Sequence, residues 1–342
     1  MRTRKEVDQP HSGDEGGAPT ALPAGGATRA PVIAAIDVGT NSVLLLVVRQ
    51  DANGVIEVLA NEARITRIGE GIGTSHALKP EAMARTLSVL KEYSAICRMH
   101  GAATVSAVGT AAFRRVANGQ QFLDQVRAAC GFDLEIISGQ REAQLSYLAA
   151  ATDFGPDLLV CDIGGGSTEY IWRSAGKTAI TAISLPLGSV TLHETFCHSD
   201  PINDADYEQT RMAILSELTT HLGSRHGGGA GLIADRRPDQ LVALAGTATT
   251  LAAMCLQLRE YRHWEVHGKP LTLAEIETLR DTLRARTIAE RKQLPGLEPA
   301  RADVILPGAI LLAETMNLLD YDQVTISDRG VRWGLVYEQC KG

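Results

Sequence analysis

Between residues 158 and 172 the chain reads LLVCDIGGGSTEYIW: an apolar run, an acid, three glycines, two hydroxyls and a second acid. Gly164, Gly165 and Gly166 carry no side chains, so backbone N–H groups there can approach phosphate oxygens and form an anion-binding concavity. Ser167 and Thr168 add hydroxyls to the same turn. Asp162 and Glu169 supply the hard oxygen ligands that suit Mg²⁺, the ion a charged phosphate ligand brings with it. A Gly-rich turn between apolar strands also makes an ordinary hairpin, and the stretch by itself leaves both readings open.

Two echoes elsewhere favour the ligand reading. Residues 33–48, IAAIDVGTNSVLLLVV, repeat the order strand, Asp, Gly, polar turn, strand. Residues 241–252, LVALAGTATTLA, set a Gly and hydroxyls between a strand and a helix, whose N-terminus favours an anion. A repeat of this kind implies two similar lobes with their first hairpins facing across a cleft. Three loops converging there would grip a phosphate chain.

The elements that must position these loops follow from the apolar pattern. After the first hairpin, VIEVLA and ARITRI read as two β-like runs, and a helix runs from about Pro80 to His100 with Pro at its first turn. TVSAVGT, GQQFLDQVRAAC, LEIIS and GQREAQLSYLAAA then alternate strand and helix, the signature of a mostly parallel α/β sheet. The pattern restarts with LLVCDIGGG, STEYIWR and KTAITAISLP as strands, helices through about 204–222, LVALAG as a strand and TATTLAAMCLQL as a helix. A helical stretch spans about 271–317, followed by a short strand, QVTISD, and a closing helix, RGVRWGLVYEQ. The division expected is a disordered tail at 1–30, a first domain at 31–155 and a second at 156–342, with the closing helix able to pack back on the first.

Composition bounds the remaining choices. At 342 residues the chain can bury two cores of ordinary size. Its 44% hydrophobic and 21% charged residues are those of a globular protein, and its apolar runs are too short to span a bilayer. The first 30 residues have neither the apolar core of a signal peptide nor the Arg-rich bias of a transit peptide, so the expected location is the cytoplasm. Six scattered cysteines without CxxC spacing read as reduced residues. A net charge of −7 argues against a general nucleic-acid binder, so local arginines must meet any polyanionic substrate.

DVGTNS (37–42), DIGGGSTE (162–169) and GTATT (246–250) look like the phosphate loops of the actin, sugar kinase and chaperone ATPase superfold. More narrowly, the chain resembles the exopolyphosphatase and guanosine pentaphosphate phosphohydrolase family (Ppx/GppA). The likeness runs from about residue 32 to the C-terminus through TRIGEGI (66–72), VGTAAFRRVAN (108–118), EIISGQREAQL (135–145), SLPLGSV (184–190), RADVILPGAILL (301–312) and SDRGVRWGLVYE (327–338). It implies an α/β fold of two actin-like, ribonuclease H-like domains with an interdomain cleft. The family's longer members continue into a further helical module, and a chain ending at Gly342 is expected to hold the two-lobed core alone.

The resemblance also implies roles. Glu142 matches the family's catalytic Glu, and hydrolysis needs a carboxylate to orient a water in line and accept its proton. Asp162 matches the Mg²⁺-binding Asp. Glu169 matches a second acidic position, catalytic or metal-holding, and both roles stay open. Backbone and hydroxyl groups of Gly164, Gly165, Gly166, Ser167 and Thr168 would bind the phosphoryl group, with Gly188 and Ser189 lining its path and Asn41, Ser42, Gly246 and Thr247 reaching it from the other loops. Arg114 and Arg301 match substrate-binding arginines; otherwise Arg114 reads as a strand-end cap and Arg301 as a partner of Asp303. His267 reads as a surface residue or a substrate contact, and Trp333 stands where family members usually carry Glu. The function implied is a cytoplasmic, homodimeric Mg²⁺-dependent phosphohydrolase that releases terminal orthophosphate from polyphosphate or guanosine pentaphosphate. The alternative is an ATP-dependent kinase or ATPase of the wider superfold.

Overall fold

The computed structural model describes residues 31–114, 116–173, 179–223 and 237–341, so the tail at 1–30 lies outside the described residues. The first lobe begins with three strands, β1 (Val32–Val38), β2 (Ser42–Gln50) and β3 (Ile56–Ile65). It continues through α1 (Ile72–Ser75), α2 (Pro80–Met99), β4 (Thr104–Gly109), α3 (Gly119–Cys130), β5 (Leu134–Ile136) and α4 (Gly139–Phe154). The second lobe opens the same way, with β6 (Leu158–Ile163), β7 (Thr168–Arg173) and β8 (Ile180–Leu185). Next come α5 (Ser189–Phe196), α6 (Asp204–Leu222), β9 (Gln240–Leu244), α7 (Ala245–Cys255), α8 (His263–Val266) and β10 (Pro270–Thr272). The chain ends with α9 (Leu273–Arg284), α10 (Ile288–Arg291), α11 (Ile305–Leu319), β11 (Gln323–Ile326) and α12 (Val331–Lys341).

The two sheets share one plan. The first has the order β3-β2-β1-β4-β5 and the second β10-β11-β9-β6-β7-β8. In each, an antiparallel meander of three strands carries two parallel strands beside its first member, with β4 and β5 answered by β9 and β11. The sheets are therefore mixed, not mostly parallel. Alternating βαβα sequence signals parallel crossovers, and the hairpins that open each lobe are what make the sheets mixed.

Other expectations are corrected by the structure. VIEVLA and ARITRI form a single strand, β3, because β2 pairs with it from Ser42↔Ile65 to Gln50↔Ile56 and carries it through its polar centre. The helical stretch at 271–317 is broken into α9, α10 and α11, since Thr272 and Thr287 each form a capping box that starts a new helix.

Helix α4 joins the lobes and is buried on two faces. Leu145 and Ala149 pack with β1, β2 and α12, while Ala143, Tyr147 and Ala150 pack against β6, β7 and β9. The closing helix α12 packs on α4, β1 and β2, which places it against the first lobe's sheet. A Cβ on Gly334 would sit 2.3 Å from the Leu145 carbonyl oxygen, so only glycine allows α12 this close to α4. Arg141 of α4 grips Glu338 of α12 through both terminal guanidinium nitrogens.

Candidate active site

A cavity of about 630 Å³ opens between the two sheets, and all three phosphate-type loops line it. Its walls include Asn41 and Ser42 from the β1–β2 turn, Gly164 to Ser167 from the β6–β7 turn, and Gly246 and Thr247 from the start of α7. The β6–β7 turn is held from behind by α5: Ser189 N donates to Gly164 O, and Val190 N and Thr191 N donate to Gly165 O. With those carbonyls engaged, the loop's N–H groups are what an anion can use. Gly188 makes the arrangement feasible, because a Cβ there would lie 2.1 Å from Gly165 O.

Carboxylates converge on this cavity from both lobes. Asp162 and Glu169 are cross-strand partners in the β6–β7 hairpin, so both project on one face. Glu142 comes from the first turn of α4, capped by Ser138, and Ser146 one helical turn further donates to Asp162 Oδ2 at 3.1 Å. Asp37 is the next-to-last residue of β1 as Asp162 is of β6, and its Oδ1 is buried with no hydrogen-bond partner. Glu169 Oε1 accepts from Ser167 Oγ and Ser184 Oγ, each at 2.7 Å.

Crowding and desolvation push these acids toward the neutral form. Burial, reinforced by Glu169, raises Glu142 to about 8 against the lowering effect of Arg114. Burial with Glu169 and Asp37 raises Asp162 to about 7, and burial raises Asp37 to about 6 against Arg332. Glu169 is also raised by burial, opposed by its two serine donors. Acids this close ionise together only beside positive charge, which makes the cluster a fit for a divalent cation. No group of three His, Cys, Asp or Glu among the described residues forms a ready-made cage. Mg²⁺ does not require one, since it is bound by one or two carboxylates and completes its shell with water and phosphate oxygens. The unpartnered Asp37 Oδ1 beside Asp162 and Glu169 fits that pattern.

Positive charge arrives from separate elements. Arg114 donates to Glu142 Oε2 at 2.8 Å and to Ile137 O, just past the end of β5, at 3.2 Å, so it partners the acid and caps the strand end as well. Arg301 lies against Gly246, where a Cβ would be 2.1 Å from its Nη1. Its carboxylate neighbour is Glu298 at 3.7 Å; Asp303 pairs instead with Arg67. Arg332, buried in the first turn of α12, donates to Leu45 O and Glu62 O and lines the cavity beside Asp37.

The structure thus brings Glu142, Glu169, Asp162, Asn41, Ser42, the three glycines, Ser167, Ser189, Gly246, Thr247 and Arg301 to one cavity. Three candidates do not line it: Arg114 adjoins it through Glu142, Gly188 lies behind the β6–β7 turn, and Thr168 is fully buried with its hydroxyl donating to Leu187 O, away from the cleft. A residue one place along a strand from Ser167 points to the opposite face. His267 is neither a surface residue nor a cavity residue; it is mostly buried and faces Asp153. Trp333 is buried on α12 under the Arg329 guanidinium. Asp37 and Arg332 were not singled out by sequence. The repeat held the signal for Asp37, which occupies in DVGTNS the place of Asp162 in DIGGGSTE; nothing local marks Arg332.

Two mixed sheets of matching topology, hinged through a shared helix and clasping a cleft of phosphate-type loops, define an actin-like fold of the ATPase type. Within it, the chain belongs to the Ppx/GppA phosphatase family, whose pattern matches residues 46–341. It is 31% identical over 318 residues to Exopolyphosphatase 2 of Mycobacterium tuberculosis, covering 89% of this chain and 97% of that one. It is 30% identical over 310 residues to the guanosine-5'-triphosphate,3'-diphosphate pyrophosphatase of Vibrio atlanticus, covering 90% of this chain and 59% of the relative. A crystal structure of an exopolyphosphatase from Cytophaga hutchinsonii superposes with a TM-score of 0.81 at 30% identity, covering 91% of this chain and 98% of that one. The chain is a hydrolase of the phosphoric anhydride class.

Proposed function

We propose that this protein removes the terminal phosphate of inorganic polyphosphate or of guanosine pentaphosphate by attack of a water activated by Glu142. The observation that carries the reading is the placement of Glu142: a helix outside the phosphate loops delivers a carboxylate into the cavity those loops line. A kinase needs a second substrate hydroxyl at that point, whereas a hydrolase needs a base for water.

The loop amides at Gly165 to Ser167, the start of α7 and Arg301 hold the terminal phosphoryl group and the chain behind it, Gly164 N being spent on Ser167 O. Glu142 orients a water on the side of phosphorus away from the bridging oxygen. The water oxygen bonds to phosphorus, its proton passes to the Glu142 carboxylate, and the bridging P–O bond breaks to leave the shortened chain. Glu142 then returns its proton to solvent. Arg114 steadies the carboxylate in its ionised form before attack. Asp162 with Asp37 or Glu169 would hold Mg²⁺, which supplies charge neutralisation for the phosphate oxygens. Glu169, tied by two serines, serves as a fixed acid beside Glu142.

Phosphate release measured with Mg²⁺ from short and long polyphosphates, guanosine pentaphosphate, ATP and p-nitrophenyl phosphate tests the reading. Turnover of one of the first three well above the last two supports it, and turnover of ATP alone would sink it. A cytoplasmic homodimer belongs to the same proposal, from the resemblance; sedimentation at working concentration checks the dimer. No helix among the described residues is long and apolar enough to cross a membrane.

A further inference from the structure

We propose that Arg67, acting through Asp303, is a positioning residue that ties the first lobe's phosphate loop to the segment of the second lobe bearing Arg301. The inference rests on the phosphohydrolase reading above. The turn after β3 is strapped to the β1–β2 loop by three backbone bonds: Thr66 N and Arg67 N donate to Asn41 O at 3.0 and 2.9 Å, and Gly69 N to Thr40 O at 2.9 Å. The fit is close, since a Cβ on Gly69 would meet Thr40 Cγ2 at 2.2 Å. Arg67 itself has a φ of 51°, the left-handed region that a non-glycine residue enters only where its surroundings hold it.

From that turn the guanidinium reaches the second lobe. Its Nη1 and Nη2 take both oxygens of Asp303, at 2.9 and 3.0 Å, and Nη2 also donates to Ala300 O at 2.7 Å. One fork therefore grips the chain on both sides of Arg301, at the Ala300 carbonyl and at the Asp303 carboxylate, the latter across 236 residues of sequence. Asp303 Oδ1 also accepts from Val304 N, at the start of α11, so its carboxylate is anchored in turn. A partly exposed ion pair adds little to stability. What this one fixes is the spacing between the loop that receives the terminal phosphate and the arginine that receives the chain behind it, and that spacing sets substrate binding.

The test compares Arg67→Ala, Asp303→Asn, the double variant and the charge-swapped Arg67→Asp/Asp303→Arg protein, with long polyphosphate and Mg²⁺. Expected are KM values raised about tenfold in each single variant with kcat within about threefold, a double variant no worse than either single, and partial recovery in the swap. Additive losses in the double variant, or an unchanged KM, overturn the proposal. Hydrogen exchange of the substrate-free protein gives a readout apart from activity. Arg67→Ala should speed exchange in residues 298–304 and leave β1 and β4 unchanged. If the wild-type protein hydrolyses none of the phosphate substrates, the functional reading fails and exchange alone decides the clasp, with unaltered exchange at 298–304 overturning it.

Discussion

Arg114 Nη1 lies 2.8 Å from Glu142 Oε2, joining a short helical turn after β4 to the first turn of α4, 28 residues further along the chain. The pair puts a substrate-type cation and the proposed base in one contact. Burial and Glu169 favour the protonated acid, and Arg114 is the group that opposes them. Entry of an anionic chain would compete for the same guanidinium and change the balance at Glu142.

The pair predicts a pH signature. Glu142→Gln should lower kcat about 10²-fold or more while KM changes little, because the amide cannot accept the proton. Arg114→Ala should move the acid limb of kcat/KM to higher pH, since the group that lowers the Glu142 value is gone. A pH–rate profile of both variants checks this. An Arg114→Ala limb at the wild-type position would mean that Glu142 is not the titrating base.

A second prediction concerns stability without metal. Asp37, Asp162 and Glu142 are raised to about 6, 7 and 8 in the folded protein, from ordinary values of 3.8, 3.8 and 4.5. Between the unfolded and folded values the native protein keeps protons that the unfolded chain has released, so stability is greatest at the acid side and falls as pH rises through this window. The unfolding temperature in EDTA should be lower at pH 8.5 than at pH 5.5 by on the order of 5 °C. Mg²⁺ should raise it more at pH 8.5, where the acids it binds are ionised. Equal Mg²⁺ effects at both pH values would count against these carboxylates as ligands.

Glycine at 188 is predicted to be indispensable for the loop. Gly188→Ala drives a Cβ into the Gly165–Gly166 backbone, which has no flexible end to yield. A loss of about 1–3 kcal/mol in stability is expected, with weakened phosphate binding. Gly139→Ala, whose Cβ would meet nothing within 4 Å, is the control and should stay within about 0.5 kcal/mol in chemical denaturation.

Gly246→Ala should behave differently. Its Cβ would meet the Arg301 guanidinium, the far end of a side chain that can swing aside. Stability should change by about 1 kcal/mol or less, while KM for polyphosphate rises severalfold because Arg301 is displaced. A large drop in unfolding temperature with an unchanged KM would show Arg301 to be structural.

Much of the site was legible along the chain. DIGGGSTE and DVGTNS are local patterns, and a strand with Asp next to its end before a glycine turn declares itself wherever it folds. Their repetition pointed to two like lobes and a cleft, and both sheets carry the repeat. The repeat marked the opening hairpins, but the βαβα alternation after them drew the reading toward a mostly parallel sheet, and the antiparallel pairs of each meander make the sheets mixed. Nor could the repeat separate Ser167 from Thr168, whose faces depend on the register of β7 with its neighbours.

By itself the sequence determined the chemistry available: glycine loops for phosphate, acids for a cation and a base, arginines for a polyanion. The tertiary structure decided which of these groups meet. Arg114 and Glu142 are 28 residues apart, Arg67 and Asp303 are 236 apart, and Arg332 reaches Leu45 across 287. Contacts of that kind depend on sheet register, on the two buried faces of α4 and on the return of α12 to the first lobe. The raised carboxylate values belong to the same level, because desolvation and mutual repulsion are properties of the assembled cavity and of no single residue.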